Sequence, residues 1–273
     1  MKKLIAAVCM TVLCAAGGTA NATLSVTGGS YTYSQNFDSL TQSTSSTAWT
    51  NDSTLAGWSL YRQPAPGTAV TNYYGGDGSS NTGAFYSFGS AGSSDRALGG
   101  LGSGGAYFGS PLSGAVAGWI AVAFTNNTGQ ALNGFTVGFD GEQWRNGGNT
   151  SAQTMVLQYG FGNSFAGVSN WTALGGNFDW TSPVTGSTAA AANGNVAGLV
   201  ANRGGSVTAN WNNGNTLWIR WIENNDVGND HGLAIDNFSL TTSDVTPTPI
   251  PAAAYLFGSG LIGLVGIRRK KSK

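Results

Sequence analysis

From Trp119 to Trp221 the apolar side chains recur at every second position, in short blocks separated by Asn, Gly and Thr. Ile120, Val122 and Phe124 share one parity; Phe135, Val137 and Phe139 form the next set. Met155, Leu157, Tyr159 and Phe161 follow, then Leu217, Ile219 and Trp221. A period of two puts each set on one face of an extended strand. Turn formers stand between the sets at Asn126-Asn127-Thr128-Gly129, Asn146-Gly147-Gly148 and Asn212-Asn213-Gly214. Ala189 to Ala192 is too short for an amphipathic helix, and no other stretch between the termini reads as one. Many strands and few helices predict an all-β domain of two packed antiparallel sheets, a β-sandwich or jelly roll.

The two ends are built differently. Lys2 and Lys3, the uncharged run Leu4 to Ala16, and Ala20-Asn21-Ala22 have the order of a cleavable secretory leader. Signal peptidase would then leave a chain beginning at Thr23. Both cysteines, Cys9 and Cys14, fall in the leader, so the mature chain would hold no disulfide or thiolate site. At the other end, Pro247, Pro249 and Pro251 break the chain ahead of sixteen uncharged residues, Ala252 to Ile267. As a helix that run is about 24 Å long, a short membrane span. Arg268, Arg269, Lys270 and Lys271 follow it and would stay in the cytoplasm. The expected organisation is a signal peptide over 1–22, one ectodomain over 23–244 and a Pro-rich linker with sorting motif over 245–251. A transmembrane helix over 252–267 and a basic tail over 268–273 complete it.

Pro249-Ile250-Pro251, the apolar run and the terminal basic cluster together resemble the PEP-CTERM sorting signal, with Ile250 where that motif usually has Glu. The resemblance covers about the last 25 residues. It implies that an exosortase reads the tail, that the chain is first anchored in the inner membrane by its C-terminal helix, and that it ends at the cell surface or in the extracellular matrix. The segments Tyr33 to Leu40, Thr54 to Arg62, Phe139 to Asn149 and Gly228 to Leu240 resemble a lectin-like jelly-roll domain common in exported bacterial proteins. That second resemblance supports the fold more than an activity.

Charge narrows the partners. Twelve acids lie in 23–244 against five arginines and no lysine, a balance of −7. Such a domain repels nucleic acid and anionic lipid, whereas neutral glycans or a divalent cation match it. The apolar phase slips between Leu233/Ile235 and Phe238/Leu240, which predicts a β-bulge near Asp236-Asn237 that aims Asp236 inward. With Asp38 from the first strand, and Asp230, Asp236 is the candidate ligand set for a structural Ca²⁺. Asp140 and Glu142 are too little to make a glycosidase pair, and Glu142 is expected to pair with Arg145 or Arg220. His231, the sole histidine, is expected to be a loop residue. Among many aromatics that include Tyr73 and Tyr74, Trp119 and Trp218 fall opposite the Ile/Leu face and are the candidate glycan-binding surface. The expectation is a non-enzymatic surface or matrix protein that binds or organises extracellular polysaccharide. An extracellular hydrolase and an adhesive or ice-binding protein are the alternatives; regular Thr-x-Thr arrays, which the last would need, are missing.

Overall fold

The computed structural model describes residues 24–242. The leader, sorting motif, apolar run and basic cluster lie outside the described residues. Among the described residues the regular structure is β, with three single-turn 3₁₀ segments. No helix there is long and apolar enough to cross a membrane.

Two sheets pack into a sandwich-like fold. The first runs in the order Thr172–Ala173, Leu157–Phe161, Thr216–Asn225, Ala115–Asn126, Trp58–Arg62, Thr68–Ala69. Leu24–Val26 lies parallel to Ala115–Asn126. The second runs Ala190–Ala191, Leu132–Asn146, Gly232–Thr242, Ala97–Leu101, Ala84–Phe88, Asn72–Gly76, Thr47–Ala48. Leu199–Trp211 adds to Leu132–Asn146, and Tyr31–Gln35 adds to Gly232–Thr242. The early strand 31–35 thus pairs with the last described strand.

The period-two sets meet between the sheets. Ile120, Val122, Phe124, Phe135, Val137, Phe139, Leu157, Leu217, Ile219 and Trp221 all belong to the central core. Each fully buried side chain of this size stabilises by roughly 1.5–3 kcal/mol. Trp58 anchors the middle, stacked on Trp221 at 5.9 Å and edge-on to Phe238 at 5.2 Å.

The predicted bulge is present. Gly138 pairs with Ser239 and Asp140 with Asp236, so two residues of the last strand oppose one of its neighbour. Asn237 takes the extra turn at φ 50°. Leu233 and Ile235 before it, and Phe238 and Leu240 after it, all enter the same core. At the bulge the strand also changes partner, from 97–101 to 31–35.

Both sheets are covered on their outer faces as well. On the second sheet Tyr86, Phe88, Leu101 and Trp144 form a separate apolar cluster. On the first, Phe165 and Val168 fold back from the loop after Phe161, with Trp171 packed against them. Central strands such as 115–126 are therefore buried on two sides, where simple alternation predicts one.

Candidate functional site

The most ligand-like concavity lies beside the strand pair 72–76 and 84–88. These strands run parallel and set Tyr74 opposite Tyr86, with ring centroids 5.9 Å apart. A glycine-containing turn, Gly76-Asp77-Gly78-Ser79, leads out of the first strand. In it Asp77 Oδ1 accepts from Ser79 N (3.0 Å) and Ser79 Oγ (2.5 Å). Those hydrogen bonds hold the Asp77 carboxyl below the usual range, so it is ionised at neutral pH. The Tyr86 hydroxyl donates to Thr82 O (2.7 Å) and contacts Ser80 Oγ at 3.2 Å. Asn72 Nδ2 donates to the Tyr74 hydroxyl at 3.1 Å. The result is a cavity of about 200 Å³ lined by Thr44, Tyr74, Asp77, Ser79, Ser80 and Tyr86, among others. Tyr74 is half-buried and Asp77 exposed. The half-buried Tyr74 ring, hydroxyls and one fixed carboxylate converge there, and Tyr86, 4% exposed and stacked on Phe88, backs the cavity.

The acids of the sequence reading divide into two groups. Asp236 is 2% exposed and lies on the outer side of the second sheet, not toward the central core. Burial, with smaller contributions from Glu142, Asp95 and Asp38, raises its carboxyl to about 8, and Oδ1 has no hydrogen-bond partner among the described residues. Asp38 follows strand 31–35 in an exposed turn, accepting from Arg96 N and Asn36 Nδ2. Asp230 stands apart from both, in the loop beside Asp226 and Glu223. The four residues of strand from Gly232 to Asp236 alone span roughly 13 Å. The structure therefore does not bring Asp38, Asp230 and Asp236 together. Among the described residues no three His, Cys, Asp or Glu side chains form a metal-holding group.

Glu142 pairs with neither arginine. Trp144 Nε1 donates to its Oε2 at 2.8 Å, while burial raises the carboxyl to about 7. Arg145 Nη1 donates instead to the carbonyls of Gly78 and Ser79, and Arg220 donates to Gln158 Oε1.

Trp119 and Trp218 do lie opposite the core face, but they are 4% and 2% exposed beneath Phe165 and Val168. Trp218 Nε1 is spent on Gly162 O (3.0 Å). The expectation that these two rings form a surface is overturned by the loop folding over them. That loop instead presents half-buried Trp171, whose ring lies 3.8 Å from the Arg220 guanidinium.

His231 is a buried pin. Its Nδ1 accepts from Gly147 N (3.0 Å), which fixes the proton on Nε2, facing Ser151 O (3.2 Å). Burial lowers its basicity, consistent with a neutral ring.

The Tyr74/Tyr86 cavity was missed in sequence. The signal was the run Tyr73-Tyr74-Gly75-Gly76-Asp77-Gly78-Ser79-Ser80, an acid in a glycine turn directly after paired aromatics. In comparison with known proteins, no family and no curated protein matches the chain.

Proposed function

We propose that this chain is an exported, non-enzymatic surface or matrix protein whose jelly-roll domain binds extracellular polysaccharide. The observation that carries the reading is the Tyr74/Asp77/Tyr86 cavity. Sugar rings offer apolar C–H faces and hydroxyl edges. The half-buried Tyr74 ring takes the first, with buried Tyr86 behind it, and Asp77 with the Ser and Thr hydroxyls takes the second. A site of this kind needs few polar groups, held rigidly, and the Asp77–Ser79 turn holds its carboxylate that way.

Sequence features outside the described residues supply the location. The leader directs export by way of signal peptidase. The Pro249-Ile250-Pro251 tail is then handed to an exosortase from its inner-membrane anchor. The acidic balance of residues 23–244 favours a neutral glycan over a polyanion.

Binding of the full chain to its host's own extracellular polysaccharide tests the reading. Saturable binding that falls at least tenfold in Tyr74→Ala is the expected result. Absence of binding by the wild type would remove it and direct the search to protein partners.

A further inference from the structure

The loop-rich end of the sandwich contains a buried acid with no counterpart in the glycan reading. Glu223 continues the core-facing parity of Leu217, Ile219 and Trp221, so its side chain enters the interior. It is 3% exposed. The Gly102 backbone N–H donates to its carboxyl, yet Oε2 has no partner among the described residues. An oxygen left this way keeps the cost of desolvation without a hydrogen bond to offset it, and the cost is larger when it is charged. Something that supplies positive charge would relieve it.

We infer that this end of the domain is a calcium site, with the carboxylates of Glu223 and Asp230 and the amide oxygen of Asn225 as its protein ligands. Four observations converge on it. Asp226 N donates to Asp230 Oδ1 at 2.6 Å, and both acids lie near enough to Glu223 to add to the rise of its carboxyl, so negative charge is concentrated here. Arg145, which borders the same cavity, does not answer it: its Nη1 is held by the Gly78 and Ser79 carbonyls. Asn225 Nδ2 donates to Pro111 O at 3.1 Å, which leaves the amide oxygen for a ligand. A cavity of about 420 Å³ is bordered by Asn225, Asp230 and Gly102, the last of which carries the N–H that meets the Glu223 carboxyl.

The oxygen set decides the ion. Calcium accepts six to eight oxygens, mixes carboxylates with amide and backbone carbonyls, and completes its shell with water. Two carboxylates are enough, so a third converging acid is not required. Magnesium demands a tighter octahedron than a loop of this kind offers. Bound calcium would tie the loop 226–231 to the ends of strands 97–101 and 216–225. This inference stands independently of the glycan reading.

The test is a thermal melt and calorimetric titration of the purified full chain with CaCl₂, followed by EDTA. Calcium should raise the melting temperature by several degrees and EDTA should reverse it. Glu223→Gln and Asp230→Asn should fold but show no response, whereas Asp38→Asn and Asp236→Asn should respond like the wild type. Glu223→Gln keeps the shape of a neutral carboxyl, so its fold is expected to survive; Asp230→Asn, at the cavity border, tests the site if it does not. The inference fails if calcium neither binds nor shifts the wild type. It fails equally if the response survives Glu223→Gln and Asp230→Asn, or is lost in Asp38→Asn, which would put the ion in the other acidic group.

Discussion

The carboxyl of Glu223 fills the space in which a side chain on Gly100 would begin: a Cβ built there stands 2.8 Å from Glu223 Cδ and 2.9 Å from Oε2. Real contacts are longer, so the strand Ala97–Leu101 passes this point only because it carries glycine. The neighbouring Gly99 is constrained by its partner strand instead, with a Cβ 2.1 Å from Leu233 O. Sequence choice on one sheet thus makes room for an acid from the other.

Gly100→Ala should therefore destabilise by about 1–3 kcal/mol, the usual cost of overpacking a core. Urea denaturation measures it. Combining Gly100→Ala with Glu223→Ala should cost less than the sum of the two single changes, because the second removes the clash. Strict additivity would mean that the two side-chain positions do not compete.

Stability should fall as pH rises from about 5 to 8. Burial raises Glu142 to about 7 and Asp236 to about 8, both above their unfolded values. Folding then binds protons in that window, so the contribution is whole below about pH 4 and is lost as pH climbs through the folded values. For Glu142 alone the loss is on the order of 2–3 kcal/mol. Glu142→Gln and Asp236→Asn should each flatten the slope of melting temperature against pH. His231 acts at the acid end in the opposite sense: its folded value is lowered, so stability falls as pH drops below about 6.5.

Arg220 should behave as part of the cover over the first sheet. Its guanidinium lies 3.8 Å from the Trp171 ring centre, and both Nε and Nη2 donate to Gln158 Oε1. Burial alone pulls the guanidinium down to about 10. A double-mutant cycle of Arg220→Ala and Trp171→Ala should return a coupling of about 1 kcal/mol, a typical cation–π energy. A coupling near zero would show that the loop is held by Phe165 alone, through its stack on Tyr61 at 4.0 Å.

Local patterns were legible in the sequence and long-range cover was not. Ile120, Val122 and Phe124 announce their strand because burial of one face imposes a period of two on adjacent residues. The bulge at Asp236-Asn237 was readable for the same reason, since a change of parity within one apolar block needs an inserted residue. Trp119 and Trp218 were placed on the correct face but not under Phe165, because that contact joins a loop to strands more than forty residues away in the chain. Asp236 was expected to aim inward; it lies instead on the outer side of the second sheet, and its burial there depends on the cover that Trp144, Phe88 and their cluster give that side. Tyr74 and Tyr86 gave no sequence sign of facing each other, for their pairing is parallel and crosses a turn whose course the residues do not dictate.

The central claim is glycan binding at the Tyr74/Asp77/Tyr86 cavity. Calorimetric titration of the full chain with the host's extracellular polysaccharide, in parallel with Tyr74→Ala and Asp77→Asn, tests it most directly. The expected result is saturable binding by the wild type, a loss of at least tenfold in Tyr74→Ala, a smaller loss in Asp77→Asn, and a native circular-dichroism spectrum in both variants. Wild-type binding that both variants retain would contradict the site, and no wild-type binding would contradict the function.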